Sequence, residues 1–289
     1  VKEVNFPNYL NASPRNAGAS GQSVPVRTFH WLQDKPHVNY LVTLVVGKFD
    51  VVDVGTSKLP MPVYAPVGRG GDVKRTYGRT GRMVSFFARL IDEPYPWDKY
   101  AQVVAWNFGA GGMENTSATT MFDTAIFDEK ALQDGDLDGL ISHELAHQWF
   151  GDLLTCNSWE HIWLNEGFAT YFTHLWFEER DGRDAYLSAL YGTYRNLANN
   201  DKADAPYQPA MCSKEYTDPW EVFRRASNPY PKGASVLHMI REKLGDKLFY
   251  DALKLHVDRS KFGSPETDDL RYAFEEVSGL SLDRFFRQW

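Results

Sequence analysis

Two cysteines in 289 residues leave no disulfide framework to read, and the spacing of Cys156 and Cys212 does not settle whether they pair. Basic charge is scarce as well. Lysine and arginine total 31 against 38 aspartates and glutamates, a formal net charge of -7. That balance lacks the electrostatic footprint of a nucleic-acid binder, so no nucleic-acid partner is expected. Long apolar runs are missing too. Stretches such as "YLVTLVVG" (Tyr40 to Gly47) fall well short of the about 20 residues a membrane-spanning helix needs, so no membrane partner is expected. Neither an internal repeat nor a low-complexity segment is present, and no signal peptide opens the chain. A start at Val1 reads as the edge of an excised piece, which leaves the compartment undetermined.

What is abundant is aromatic. Phe, Trp and Tyr make up 15% of the chain, with nine Trp, which points to a well-filled interior or an aromatic-lined cleft. The length is enough to bury a sizeable core in one large domain or two.

The organisation changes about one third of the way along. Val24 to Leu32, Val38 to Val52 and Pro62 to Pro66 are β-branched, aromatic and punctuated by Pro and Gly, which predicts strands. Asn11 to Ser23 reads as loop. A helix is predicted over Arg82 to Ile91, a turn at "DEPYPWDKY" and a strand over Ala101 to Phe108. After the Gly-rich stretch from Gly109 to Phe122 the pattern is mostly helical. A small sheet followed by many helices predicts an α+β fold.

The chemistry begins at "HELAHQWFGD", His143 to Asp152. Leu137, Ile141, Leu145 and Trp149 recur every four residues as an apolar stripe, and His143 and His147 lie off it on one common face. Side chains at that spacing have Cβ atoms about 5–6 Å apart, close enough for both imidazoles to reach one ion. Gly151, next on that face, adds no side chain, and Asp134, Asp136 and Asp138 are candidate caps at the helix start. A catalytic zinc site needs a third protein ligand and one open position. Separated from His147 by eighteen residues, in "WLNEGFATYF", Glu166 stands off a second stripe made by Leu164, Phe168, Phe172 and Trp176. His143, His147 and Glu166 are therefore the predicted ligands of one Zn2+ per chain. Such an ion lowers the pKa of a bound water toward about 7. Glu144, beside the first ligand, is placed to take that water's proton and pass it to a leaving amine. The predicted reaction is metal-assisted hydrolysis of an amide.

Spaced in this way, "HELAH" and Glu166 resemble the zinc aminopeptidases of the gluzincin group, the relatives of aminopeptidase N and leukotriene hydrolase. "GGMEN" (Gly111 to Asn115) resembles the group's G-x-M-E-N exopeptidase motif, "WLNEGFA" its third-ligand segment, and "YPKGA" (Tyr230 to Ala234) its Y-x-K-G-A element. The resemblance is weak before about residue 40 and holds from there to Trp289. It implies a thermolysin-like catalytic domain over residues 59–289, a small mixed sheet plus a helical lobe, preceded over residues 1–58 by the tail of an N-terminal β-domain. It also implies peptide substrates with a free N-terminus, and further N- and C-terminal domains in a soluble parent chain, cytoplasmic, periplasmic or secreted.

By the same resemblance Gly111, Gly112, Met113 and Glu114 bind substrate. Glu114 would anchor the free ammonium through a charge-assisted hydrogen bond, and the glycines would let a peptide backbone approach a strand edge. Tyr230 would stabilise the oxyanion, a role its own spacing does not demand. Glu160 is a candidate to orient a ligand histidine, with a surface ion pair as the alternative. His161, His174, His238 and His256 read as packing or surface residues. Two other readings use the same residues: a different zinc hydrolase (endopeptidase or epoxide hydrolase), or a peptide-binding piece without turnover.

Overall fold

The computed structural model describes residues 29–200 and 209–289. One compact unit runs from His37 to Trp289. It is α+β, built on a five-stranded mixed sheet in the order β1-β2-β3-β5-β4. β1 (Phe49–Asp53) pairs antiparallel with β2 (Pro62–Pro66), while β2 runs parallel to β3 (Ala101–Val104). The short α1 (Val73–Tyr77) and the longer α2 (Thr80–Ile91) fall between β2 and β3. β4 (Gly112–Met113) is antiparallel to β5 (Ala118–Met121), which lies parallel to β3. β1 precedes residue 59 and still joins the sheet that carries the later strands.

From there the chain is helical, beginning with α3 (Asp138–Ala146), α4 (Trp163–Asp181), α5 (Arg183–Asn200) and α6 (Trp220–Arg224). α7 (Pro229–Leu244), α8 (Asp246–Ser260), α9 (Thr267–Ser278) and α10 (Asp283–Phe286) complete it. Among the described residues no helix is long and apolar enough to cross a membrane. Cys156 and Cys212 are both free.

The predicted helix over Arg82 to Ile91 and the strand at Pro62 to Pro66 are present, but the strand expected over Val38 to Val52 is not formed as such. Asn39–Leu41 is a 3₁₀ turn, residues 42–48 are irregular, and only Phe49–Asp53 pairs. β-branched residues favour strands only where a neighbouring strand answers their backbone groups, and Val42, Leu44 and Val46 instead point into solvent. Of the strand expected at Val24 to Leu32, residues 29–32 are irregular, and the rest lies outside the described residues, as does the loop from Asn11 to Ser23. β4 and β5 arise inside the Gly-rich stretch from Gly109 to Phe122, where β5 pairs with β3 and β4 with β5.

Both predicted apolar stripes are buried. Leu137, Ile141, Leu145 and Trp149 face the core, as do Leu164, Phe168, Phe172 and Trp176. Phe87 of α2 packs edge-on against Trp149 and Phe172, with ring centroids 6.3 and 5.4 Å away, so α2 ties the two helices together. α3 starts differently from the expectation. Asp136 Oδ1 accepts from the Asp138 N–H at 3.1 Å, but the Asp138 carboxylate is turned inward. It accepts from Arg79 Nε and Arg180 Nη1, both at 2.7 Å, and from Trp176 Nε1 at 3.1 Å. The helix start is fixed by tertiary partners rather than by a cap of its own.

α4 and α7 cross at two glycines. A Cβ on Gly167 would lie 2.7 Å from the Gly233 Cα, and a Cβ on Gly233 would lie equally close to the Gly167 Cα. Neither helix can carry a side chain there without moving the other. α7 itself begins at a local signal: Asn228 Oδ1 accepts from the Tyr230 N–H at 3.0 Å, and Pro229 fills the first turn.

Gly233→Ala is therefore expected to cost about 1–3 kcal/mol by overpacking, read as a lower urea midpoint at unchanged slope. A pH effect is expected from His256, which is buried in α8. Burial, opposed by Asp269, holds its pKa down at about 4. The unfolded chain binds a proton between about pH 6.5 and about 4 that the folded chain refuses. Stability should fall as pH drops through that window, by up to about 3 kcal/mol, and His256→Leu should flatten the slope in urea unfolding.

Candidate metal centre

Three ligand atoms meet where α3 ends and α4 begins. His143 Nε2 lies 3.1 Å from His147 Nε2 and 3.3 Å from Glu166 Oε2, and His147 Nε2 lies 3.2 Å from the same carboxylate oxygen. This is the group of described residues arranged to hold a metal ion. Tetrahedral ligands bound at about 2.0–2.1 Å stand roughly 3.3–3.4 Å from one another, so the triangle has the size a zinc ion requires. The tautomer also fits. His147 Nδ1 donates to the Phe150 carbonyl at 2.9 Å, which leaves the Nε2 lone pair aimed at the triangle.

Charge points the same way. Glu114, Glu144, Asp152 and Glu166 are all buried, at 8, 5, 3 and 7% exposure. Burial raises the pKa of Glu144, with Glu114 and Glu166 adding to it and His147 opposing. It works against ionisation of Glu166 too, but His147 and hydrogen bonds from both imidazoles hold that carboxyl well below the usual carboxylate range. His147 is disfavoured as a cation by burial, yet Glu114, Glu166 and Glu144 together raise its pKa. A spot this acidic favours a cation.

Glu144 is pressed from one side by β4. A Cβ on Gly112 would lie 2.3 Å from Glu144 Oε1, so only glycine allows the strand this close to the carboxyl. β4 is the last strand of the sheet, with Gly112 and Met113 paired to β5 on one side only. Gly111 continues the contact through its carbonyl, which accepts from the Phe122 N–H at 3.0 Å. Tyr230 stacks on His143 at 5.7 Å between centroids and 18° between planes. Burial and the nearby Glu166, Glu114 and Glu144 keep its phenol protonated. The residues predicted for the site are thus brought together, from four separate elements.

The matching family can now be given. The Peptidase family M1 domain matches residues 75–289. The chain belongs to peptidase family M1. It is 33% identical over 272 residues to aminopeptidase M1-C of Oryza sativa subsp. japonica, covering 92% of this chain and 30% of that protein. It is 30% identical over 263 residues to aminopeptidase M1 of Arabidopsis thaliana, with 89% and 30% covered. Mitochondrial aminopeptidase 2 of Saccharomyces cerevisiae is 29% identical over 259 residues, with 86% and 27% covered. The chain spans about 30% of the length of the rice and Arabidopsis relatives.

In this family M1 chain one residue escaped the reading of the sequence. Gln148, fully buried beside His147, donates from Nε2 to the Glu114 carbonyl at 3.0 Å. Its Oε1 accepts from the Ser117 N–H at 2.8 Å and from the Tyr95 hydroxyl at 3.2 Å. It ties the turn that carries Glu114 to the end of the metal helix, and no spacing rule would have singled it out. Asn115 completes the turn by donating to the Leu41 carbonyl at 3.1 Å. Glu160 does not orient a ligand histidine: it pairs with His161 at 3.4 Å and Lys214 at 3.5 Å. His161 and His238 bond Thr267 and Tyr186 at 2.9 and 2.8 Å, as packing residues would.

Gln148→Ala is expected to leave the Ser117 N–H buried without a partner, costing about 1–3 kcal/mol. The measurement is urea unfolding alongside zinc content, which should stay at the wild-type level because His143, His147 and Glu166 are untouched.

Proposed function

We propose that this chain is the catalytic part of a zinc aminopeptidase, releasing N-terminal residues from peptides. The observation that carries the reading is the placing of Glu114, a buried carboxylate on the turn after edge strand β4, where its charge acts on His147 and Glu166 of the metal triangle. A zinc ion held by His143, His147 and Glu166 would supply Lewis acidity, lowering the pKa of a water toward about 7.

The remaining work falls to the chain. The outer edge of β4 pairs with the peptide backbone, which sets its direction and register. Glu114 accepts hydrogen bonds from the substrate's ammonium and so counts one residue to the scissile bond. Glu144, desolvated and therefore a better base than an exposed glutamate, takes the proton of the attacking water and delivers it to the leaving amine. Tyr230, kept as the neutral phenol, donates to the oxyanion that develops on the carbonyl. The thermolysin-like arrangement, with residues 59–289 as the catalytic domain and 1–58 as the tail of a β-domain, belongs to this reading. So do further N- and C-terminal domains of a parent chain.

The test is hydrolysis of one short peptide by zinc-loaded protein, first with its amino group free and then acetylated. Cleavage of the free form alone is expected; equal cleavage of both would reject Glu114 as the ammonium anchor. Glu144→Gln should lower kcat by about 10²–10⁴-fold with zinc retained. Glu114→Ala should raise KM for the free peptide and shrink the preference.

A further inference from the structure

We propose that Lys99 is a positioning residue: its ammonium clamps the turn at Ser117 in a left-handed conformation and so sets the Glu114 carboxylate for the substrate's amino group. This rests on the aminopeptidase reading and names what holds its ammonium anchor in place.

Backbone geometry shows why the turn needs holding. Asn115 to Ala118 closes on itself, the Asn115 carbonyl accepting from the Ala118 N–H at 2.9 Å. The third residue of the turn, Ser117, has φ 61°, a left-handed value that a residue with a Cβ adopts only at a cost. Glu114 directly precedes this turn, so a turn relaxed to an ordinary conformation would carry the carboxylate with it. An anchor for the substrate's ammonium works over hydrogen-bond distance, and a misplacement of about 1 Å is enough to cost roughly a hundredfold.

Lys99 supplies the hold. It lies two residues before β3 and reaches the residue before β5, donating from Nζ to the Ser117 carbonyl at 2.9 Å and to Ser117 Oγ at 3.2 Å. The same carbonyl accepts from the Ala101 N–H at 2.8 Å, and the Ser117 N–H donates to Gln148. Of these three partners Lys99 is the one that spans the carbonyl and the hydroxyl together, on either side of the strained Cα. Burial lowers the pKa of Lys99 to about 8, which leaves most of the amine charged at neutral pH and its bonds charge-assisted. The charges acting on the Glu114 carboxyl are those of His147 and Glu166, so Lys99 works through the turn. No step of the proposed hydrolysis uses this lysine.

Ser117→Gly provides the test, because glycine adopts a left-handed φ freely and does not need the clamp. Kinetics are measured on the zinc-loaded full chain with one short peptide, free and acetylated, beside zinc content. Lys99→Met keeps an unbranched side chain and removes the charge. It is expected to raise KM for the free peptide about tenfold, with kcat within about twofold and zinc unchanged. Adding Ser117→Gly should restore KM. An unchanged KM, a loss confined to kcat, or a double variant as impaired as Lys99→Met alone overturns the inference. Urea unfolding supplies a readout that needs no turnover. Lys99→Met should lower the midpoint in the parent and much less in the Ser117→Gly chain. If the parent cuts free and acetylated peptide alike, or neither, while this coupling is present, the aminopeptidase reading fails and the clamp on the turn stands. Equal midpoint losses in both backgrounds overturn the clamp, whichever peptide is cut.

Discussion

A carboxylate is costly to bury unless positive charge or hydrogen-bond donors answer it, and this fold buries four in one place. Two imidazoles face Glu166 directly, and the remaining acids, Glu114, Glu144 and Asp152, act on the same His147 from around it. Burial, with Glu114 and Glu144 adding to it, pushes the Asp152 carboxyl well above the usual carboxylate range. A divalent cation at the triangle would answer several of these charges at once. The same burial makes Glu144 bind a proton more readily than a glutamate in water.

Holding that charge in place requires the surrounding elements to come very close. Gly112 lets β4 lie against Glu144, and the facing Gly167 and Gly233 let α7 lie against α4. The second contact delivers Tyr230, in the first turn of α7, to the ring of His143 on α3. Gln148 works in the opposite sense, as a tether rather than a space. Its two ends fasten the turn carrying Glu114 to the helix carrying the histidines. Close packing and a buried amide thus set the distances between groups that share no local sequence.

Much of this was legible in the chain. His143 and His147 at helical spacing, each off a stripe that proves buried, predicted a shared face, and Glu166 repeated the pattern on α4. The Asn228-Pro229 pair marks the start of α7 through a cap that depends on neighbours in sequence alone. Reading failed where a partner decided the outcome. Val38 to Val52 has strand composition but mostly lacks a strand to pair with, whereas the glycine-rich Gly112–Met113 becomes a strand because β5 lies beside it. Glu160 looked well placed one turn before Glu166, yet it turns away to His161 and Lys214.

The division follows from the range of the forces involved. Helix spacing, caps and the chemistry of residue types act over a few neighbours, so the sequence by itself determined the group of His143, His147 and Glu166 that could hold a metal, the glutamate beside it and the α+β composition. Whether a glycine is a hinge, a loop or a point of contact depends on what lies across from it, and so does the partner of a buried amide. Only the tertiary structure decided that Gly112 faces Glu144, that Gly167 faces Gly233 and that Gln148 holds Glu114. Each of those contacts joins segments between about 30 and 70 residues apart, a separation at which no local pattern carries information.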